Sequence, residues 1–172
     1  MQTIGKDATI ARVIDTFEGG YVNNPNDAGG ATNMGITLNT YRSVNPLATV
    51  NDIKNLPKQT AIDIYTKLYW NKYHIDKMPT DIQDVVFDTF VQHNPITAGK
   101  IVQEAINTLG QSIAVDGTIG ENTLDAMHMV GTKDLRNAIL LQRKSFYVNQ
   151  ATSHPSQEQF LVGWLRRLKE LA

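Results

Sequence analysis

The sequence predicts a mainly α-helical fold that contains one small β-hairpin. Apolar residues recur every three or four positions through most of the 172 residues, which is the period of an amphipathic helix. A polar stretch rich in glycine and asparagine, between residues 21 and 37, interrupts this pattern and predicts a loop or hairpin. No long segment alternates apolar and polar residues, so we expect no larger sheet.

The first predicted helix has one apolar face and ends beside Glu18. Asp7 can cap its start, and Gly19 and Gly20 stop it. Its apolar face consists of Ile10, Val13, Ile14 and Phe17. Glu18 therefore falls in the last turn, where the partial negative charge of the carbonyl end disfavours an ionised carboxylate. A carboxyl group that stays protonated near neutral pH is suited to general acid catalysis.

The polar segment that follows contains a second acid, Asp27, and a hydroxyl group, Thr32. A loop or hairpin can present both toward the helix end that holds Glu18. Two carboxyl groups, one protonated and one ionised beside hydroxyls and amides, form the arrangement that cleaves glycosidic bonds. The spacing leaves one alternative open, in which Glu18 faces solvent and the glycines only turn the chain.

The same period predicts further helices in the rest of the chain. Three carry apolar faces within residues 61–69, 82–90 and 101–109, and the third ends before Gly110. The Asp116 to Gly120 segment lacks the acids of a calcium loop and predicts a tight turn before a helix around Leu124 and Met127.

Two longer helices are predicted near the C-terminus. Thr132 can cap the first, and Ser156 with Gln159 forms a predicted capping box for the second. Their faces carry, respectively, Leu135, Ala138, Ile139, Gln142 and Phe146, and Phe160, Trp164, Leu165 and Leu168. Arg166, Arg167 and Lys169 suit the carbonyl end of the last helix, with contact to an anionic partner as a secondary role.

The stretch from Glu18 to Thr37 resembles the signature of glycoside hydrolase family 108, the phage and prophage N-acetylmuramidases. It reads E-G-G-Y-V-N and then G-G-A-T-N-M-G-I-T. Further segments match that family in order and approximate spacing: Tyr69-Trp70, Phe87-Asp88, Val115 to Gly120, and Gly163-Trp164-Leu165. The resemblance implies a lysozyme-like fold, Glu18 as the catalytic acid, and a peptidoglycan-binding C-terminal half.

Two positions depart from the family pattern. Asn24 stands where an Asp is common, so Asp27 is the better candidate for the second carboxylate. Gln92-His93-Asn94 replaces a typical Asn-His-Gly, which puts in doubt any specific substrate contact inferred for that helix end. The chain also resembles phage lysozymes more weakly, because an Asp follows Glu18 by nine positions and a Thr comes after it.

The expected organisation is a lysozyme-like catalytic lobe, residues 1–94, and a helical peptidoglycan-binding lobe, residues 95–172, packed as one compact body. Pro95 and the residues before it interrupt the helical pattern there. No linker separates the lobes, so we expect neither half to be fully stable alone.

The expected function is hydrolysis of the β-1,4 bond between N-acetylmuramic acid and N-acetylglucosamine by an endolysin. Glu18 would be the general acid, with Asp27 and Thr32 positioning water. The alternatives are a lytic transglycosylase and a non-catalytic wall-binding accessory protein. We assign substrate-binding roles to Tyr21, Asn33, Thr37, Trp70, Asp88 and Gln92. Of these, Tyr21 adjoins the proposed acid, Trp70 is at helical spacing typical of core aromatics, and Asp88 borders the cleft or points to solvent.

Net charge and amino-acid composition limit which partners we expect. A net charge of -1 gives no general attraction to nucleic acid, and zero cysteines exclude disulfides and thiolate metal sites. The four histidines lack metal-ligand spacing, so we expect no metal and no cofactor. No segment approaches the ~18 apolar residues of a membrane span, and no secretory signal is evident. We therefore expect a monomer that starts in the host cytoplasm. The resemblance implies a phage holin as the partner that releases it to the cell wall.

Overall fold

A computed structural model of the chain describes residues 5–17, 19–23 and 30–172, except for the side chain of Phe17. The chain forms two compact units, Met1–Lys72 and Tyr73–Ala172. The described part is mainly helical, and its sheet is a two-stranded antiparallel hairpin. The predicted fold class is therefore confirmed.

The first unit combines the hairpin with short helices. Its elements are α1 (Lys6–Phe17), β1 (Thr32–Asn33), β2 (Ile36–Thr37), α2 (Leu38–Arg42), α3 (Val50–Lys54), α4 (Lys58–Tyr65) and a π-helical turn (Thr66–Trp70). α1 packs against α4 and buries Ile10, Val13 and Ile14, as the apolar period predicts. At the surface of this unit, Lys58 Nζ donates to the Asp15 carboxylate at 2.6 and 2.7 Å.

The start of α1 differs from the prediction. The helix begins at Lys6, and Thr9 N donates to the carbonyl of Gly5 at 2.9 Å. Asp7 therefore lies inside the first turn and is not the N-cap. Its carboxylate is still favourably placed, because the first turn carries the positive end of the helix dipole.

The second unit is a helical bundle arranged around one long helix. Its elements are 3₁₀ turns (Ile75–Lys77 and Thr80–Ile82), α5 (Gln83–Gln92), α6 (Pro95–Thr108), α7 (Glu121–His128), α8 (Thr132–Ser153), a 3₁₀ turn (Pro155–Gln157) and α9 (Glu158–Glu170). α8 packs against α5, α6, α7 and α9. The apolar faces predicted for residues 82–90 and 101–109 supply much of the buried core.

The buried face of α8 is rotated from the predicted one. It repeats every fourth residue, through Leu135, Ile139, Arg143, Tyr147 and Ala151. Gln142 and Phe146 are only half-buried. Gly131 precedes the helix and Thr132 is its first residue, so the predicted Thr132 cap is wrong.

The capping box predicted from Ser156 and Gln159 is also wrong. A 3₁₀ turn occupies Pro155–Gln157, and α9 begins after it at Glu158. The Gln159 side chain donates to the Ser156 carbonyl at 2.9 Å, which is not the reciprocal pattern of a capping box.

The junction between α5 and α6 lies inside the second unit. Asn94 caps α6 by accepting from Thr97 N at 3.0 Å, and Pro95 is the first helical residue.

Among the helices in the described ranges, none has the length and apolar character needed to cross a membrane.

Candidate active site

Two of the three predicted catalytic residues, Glu18 and Asp27, lie outside the described residues. The third, Thr32, lies in β1. The described framework consists of α1, which ends at Phe17, the extended segment from Gly19 to Asn23, and the hairpin.

The hairpin turns through two residues, Met34 and Gly35. Thr32 pairs with Thr37, and Asn33 pairs with Ile36. Met34 has φ of 49° and Gly35 has φ of 73°, so both turn residues adopt positive φ. A two-residue hairpin turn of this kind matches the twist of its strands and suits glycine at the second position, whereas methionine is rarely found at positive φ.

Main-chain hydrogen bonds tie the segment after Glu18 to this hairpin. Met34 N donates to the Gly19 carbonyl at 3.1 Å. Val22 and Thr32 exchange two bonds, N to O, at 2.8 and 2.7 Å. The residues that follow the proposed acid thus pair antiparallel with β1, the strand that carries Thr32.

Side chains hold the hairpin against the helices of the same unit. Asn33 Nδ2 donates to the carbonyls of Ile53 and Lys54, at 3.0 and 3.3 Å. The Tyr65 hydroxyl donates to the Met34 carbonyl at 3.0 Å. These bonds fix Met34 from both its amide and its carbonyl, which accounts for the positive φ of a residue that rarely adopts it.

Asn33 and Thr37, both predicted to bind substrate, have structural partners here. The Asn33 amide satisfies carbonyls at the end of α3. Thr37 caps α2, because its hydroxyl accepts from Thr40 N at 3.0 Å and lies 2.9 Å from the Thr40 hydroxyl. Thr32 is half-buried, and its hydroxyl donates to the Gly30 carbonyl at 3.4 Å.

The two aromatic candidates of the first unit differ in exposure. Tyr21 lies in the extended segment and is 36% exposed. Trp70 closes the π-helical turn and is only 3% exposed. Tyr21 therefore has ring surface to offer a ligand, while Trp70 packs inside its unit.

Asp88 is fully buried in the second unit, so it neither borders a cleft nor points to solvent. Arg143 Nη2 donates to its Oδ2 at 2.7 Å. Arg167 donates from Nη2 to Oδ1 at 2.7 Å and from Nε to the same oxygen at 3.0 Å. The carboxylate of α5 thus joins α8 and α9, and Arg167 is a buried partner and not a surface group for wall contact.

Gln92 and His93 end α5 next to this ion-pair cluster of Asp88, Arg143 and Arg167. With the Gln92 amide oriented so that its oxygen faces Arg167, that oxygen accepts from Nη2 at 3.2 Å. His93 stacks on Tyr147 with ring centroids 5.2 Å apart. Burial, with the nearby charge of Arg143 added, lowers the pKa of His93 to about 4, so the ring is neutral at neutral pH.

Sequence reasoning missed the two arginine partners of Asp88. Two signals pointed to them: an acid among the apolar positions of α5, and an arginine four residues after Ile139 on the apolar period of α8. A charge in such a position is stable only when it is paired.

Comparisons with known proteins cover both parts of the chain. Residues 11–93 match the family model described as glycosyl hydrolase 108, and residues 97–169 match a model described as a predicted peptidoglycan domain. The solved structure of Brucella abortus SagA is similar, with a TM-score of 0.74 and 30% sequence identity over 95% of this chain and 91% of that one. This similarity confirms the lysozyme-like fold. No curated protein matches the chain significantly.

Proposed function

Because the chain belongs to glycoside hydrolase family 108 and carries a C-terminal peptidoglycan-binding domain, we propose that this peptidoglycan hydrolase is an N-acetylmuramidase. It would cleave the β-1,4 bond between N-acetylmuramic acid and N-acetylglucosamine. Glu18 is the proposed general acid.

The observation that carries this assignment is the main-chain pairing of Gly19 and Val22 with the hairpin. The Gly19 carbonyl accepts from Met34 N, and Val22 pairs with Thr32 in both directions. These bonds join the residues immediately after the proposed acid to the strand that holds Thr32. They support a site formed by the end of α1 and the hairpin.

In the proposed mechanism Glu18 gives its proton to the glycosidic oxygen as that oxygen leaves the anomeric carbon of N-acetylmuramic acid. Asp27 and the Thr32 hydroxyl hold a water on the opposite face of the sugar. The water oxygen forms the new bond to the anomeric carbon while Asp27 takes its proton. This is an inverting hydrolysis, for which carboxyl groups stand roughly 6.5–9.5 Å apart.

The proposed biological role follows the resemblance to phage and prophage enzymes. The protein would act as a monomeric endolysin, held in the host cytoplasm until a holin opens the membrane and then released to the cell wall. This role is separate from the chemistry, since a tail- or secretion-delivered enzyme would use the same site.

Replacing Glu18 by Gln tests the assignment most directly. The amide keeps the shape of the side chain but is too weak an acid to protonate the leaving oxygen, so we expect lysis of permeabilised Gram-negative cells to fall roughly 10²–10⁴-fold. Glu104→Gln, an exposed glutamate of α6, is the matched control and should keep wild-type lysis. Circular dichroism should show both variants folded, and retained lysis by Glu18→Gln would remove Glu18 from the role.

The products of peptidoglycan digestion separate the candidate reactions. Mass spectrometry of the wild-type digest should show ordinary reducing N-acetylmuramic acid ends. A 1,6-anhydro end, lighter by one water, would identify a lytic transglycosylase. N-acetylglucosamine at the reducing end would show that the other glycosidic bond is cleaved, and no cleavage at all would favour the wall-binding accessory protein.

The role of Asp27 is tested by stereochemistry and by substitution. NMR of the product before mutarotation should show the inverted anomer. Asp27→Asn should reduce kcat strongly, and Asp27→Glu should recover little because the longer side chain misplaces the water. A retained anomer, which corresponds to carboxyl groups roughly 5–5.5 Å apart, would make Asp27 a nucleophile. Near-wild-type lysis by Asp27→Asn would exclude it from either role.

A further inference from the structure

The second unit contains an open groove, and the described residues that line it all belong to that unit. It lies between the segment 111–120 and α7 and has a volume of about 790 Å³. This volume is in the range of ligand-binding clefts. The groove lies within residues 97–169, the part of the chain that matches the peptidoglycan-binding family.

One wall of the groove is an irregular segment held rigidly by α6. Three α6 residues, spaced four apart, make the attachment: Gly99, Gln103 and Asn107. Asn107 both donates to and accepts from the main chain of Ile113, at 2.9 Å in each direction. Gln103 accepts from Gly117 N at 2.7 Å.

The same glutamine is itself buried and makes two further hydrogen bonds to this segment. Its Nε2 donates to the Asp116 carboxylate at 2.8 Å and to the Thr118 carbonyl at 2.9 Å. Gly117 has φ of 84° and lies against Gly99 so closely that a Cβ on Gly99 would stand 2.0 Å from the Gly117 oxygen. These bonds and this close approach restrain a segment without regular secondary structure, and such restraint lowers the entropic cost of binding.

The charge of the groove is negative. Asp116, Glu121 and Asp125 line it, and of the described residues that line it none is lysine, arginine or histidine. The hydrogen bond from Gln103, together with that from Thr118 N, holds the pKa of Asp116 below its usual value, so this carboxylate stays ionised. The groove therefore attracts cationic groups such as an ammonium.

The side chains that line the groove suit one of the two chemical parts of peptidoglycan, the glycan and the stem peptide, better than the other. Glycan rings present C–H faces that stack on aromatic side chains, and none of the described residues lining the groove is aromatic. The stem peptides instead present methyl side chains and the free ammonium group of a diamino acid. Ile113, Ala114 and Met129 give the groove apolar surface for such methyl groups beside its carboxylates.

We propose that this groove binds the peptidoglycan stem peptide, with the free ammonium of its diamino acid placed against Glu121 and Asp125. The proposal rests on the proposed function, because peptidoglycan is the ligand in both. It assigns the C-terminal unit a preference for peptide over glycan.

Isothermal titration of the full-length wild-type protein with a synthetic stem tetrapeptide tests the proposal. This probe contains no glycosidic bond, so the protein does not consume it. We expect binding that weakens as salt is added, because the contacts are exposed ion pairs. Acetylating the side-chain ammonium of the probe should raise Kd at least about 3-fold, and this arm leaves the protein unchanged.

Substitutions in the groove give the second arm. Glu121→Gln and Asp125→Asn should each raise Kd for the unmodified peptide about 2- to 5-fold, the range for exposed ion pairs. Glu104→Gln, on α6 but outside the groove, is the control and should leave Kd unchanged. Circular dichroism should show all three variants folded.

Three results would overturn the proposal: no binding of the tetrapeptide, equal binding of the acetylated tetrapeptide, or binding of a chitooligosaccharide that the groove variants weaken instead. The last result would assign the groove to glycan. The product analysis by mass spectrometry is independent of these titrations. Peptide binding without glycan cleavage would refute the muramidase proposal alone. Glycan cleavage without peptide binding would refute the groove proposal alone.

Discussion

At the scale of one residue, Asp88 shows how burial gives an acidic side chain a structural role. It lies among apolar neighbours on α5 with 0% exposure, and its two oxygens accept from Arg143 and Arg167. One carboxylate meets two guanidinium groups, so the cluster carries excess positive charge. Among the described residues, Arg143 Nε and Nη1 have no hydrogen-bond partner, and nearby His93 is held neutral.

Replacing Asp88 by Asn should therefore affect stability and not substrate affinity. Removing the charge leaves two buried arginines uncompensated, and we expect the free energy of unfolding to fall by about 3–5 kcal/mol. Urea denaturation followed by circular dichroism measures this change. Asp76→Asn, at an exposed position of the same unit, should change stability by less than about 0.5 kcal/mol. A stable Asp88→Asn variant with a raised KM would instead identify a substrate contact.

At the scale of secondary-structure elements, the local sequence predicted where the helices lie better than it predicted which face of each helix is buried. The periods over residues 82–90 and 101–109 led to the correct buried faces because their core positions are apolar. On α8 the period predicted Phe146 in the core, whereas Arg143 and Tyr147 are buried there. An arginine is predicted to lie at the surface unless its partner is known. The partner of Arg143 is Asp88, which is 55 positions away in the sequence.

The hairpin was predictable as an element but not in its details. Glycines and asparagines marked it, yet the turn itself uses Met34 at positive φ. Two non-local partners stabilise that conformation, the Gly19 carbonyl and the Tyr65 hydroxyl. Sequence pattern carries no information on such distant bonds. Of the predicted catalytic residues only Thr32 lies in the described part, so the arrangement of the three stays a prediction.

At the scale of the whole molecule, family segments and compact units divide at different points. The glycosyl hydrolase match ends at residue 93, whereas the compact units divide between Lys72 and Tyr73. Residues 73–93 thus belong to the hydrolase segment by sequence and to the helical unit by packing. A functional boundary at residues 94 and 95, the predicted one, stays a proposal.

Two fragments test which division governs folding. Fragment 73–172 should unfold cooperatively in urea, because it keeps α5 with its buried face and Asp88. Fragment 95–172 lacks these and leaves Arg143 and Arg167 without their carboxylate, so we expect loss of a cooperative transition. Circular dichroism and binding of a hydrophobic dye report both. Equal stability of the two fragments would place the folding boundary at residue 95.

The ion pairs of Asp88 also impose an order in time. Arg143 follows Asp88 by 55 residues and Arg167 follows it by 79. At roughly 5–20 residues per second, a ribosome needs about 4–16 s to add the second arginine after the aspartate. Until an arginine is available the Asp88 carboxylate is unpaired, and an unpaired carboxylate stays hydrated. The complete cluster of Asp88, Arg143 and Arg167 can therefore form only after α9 has been synthesised.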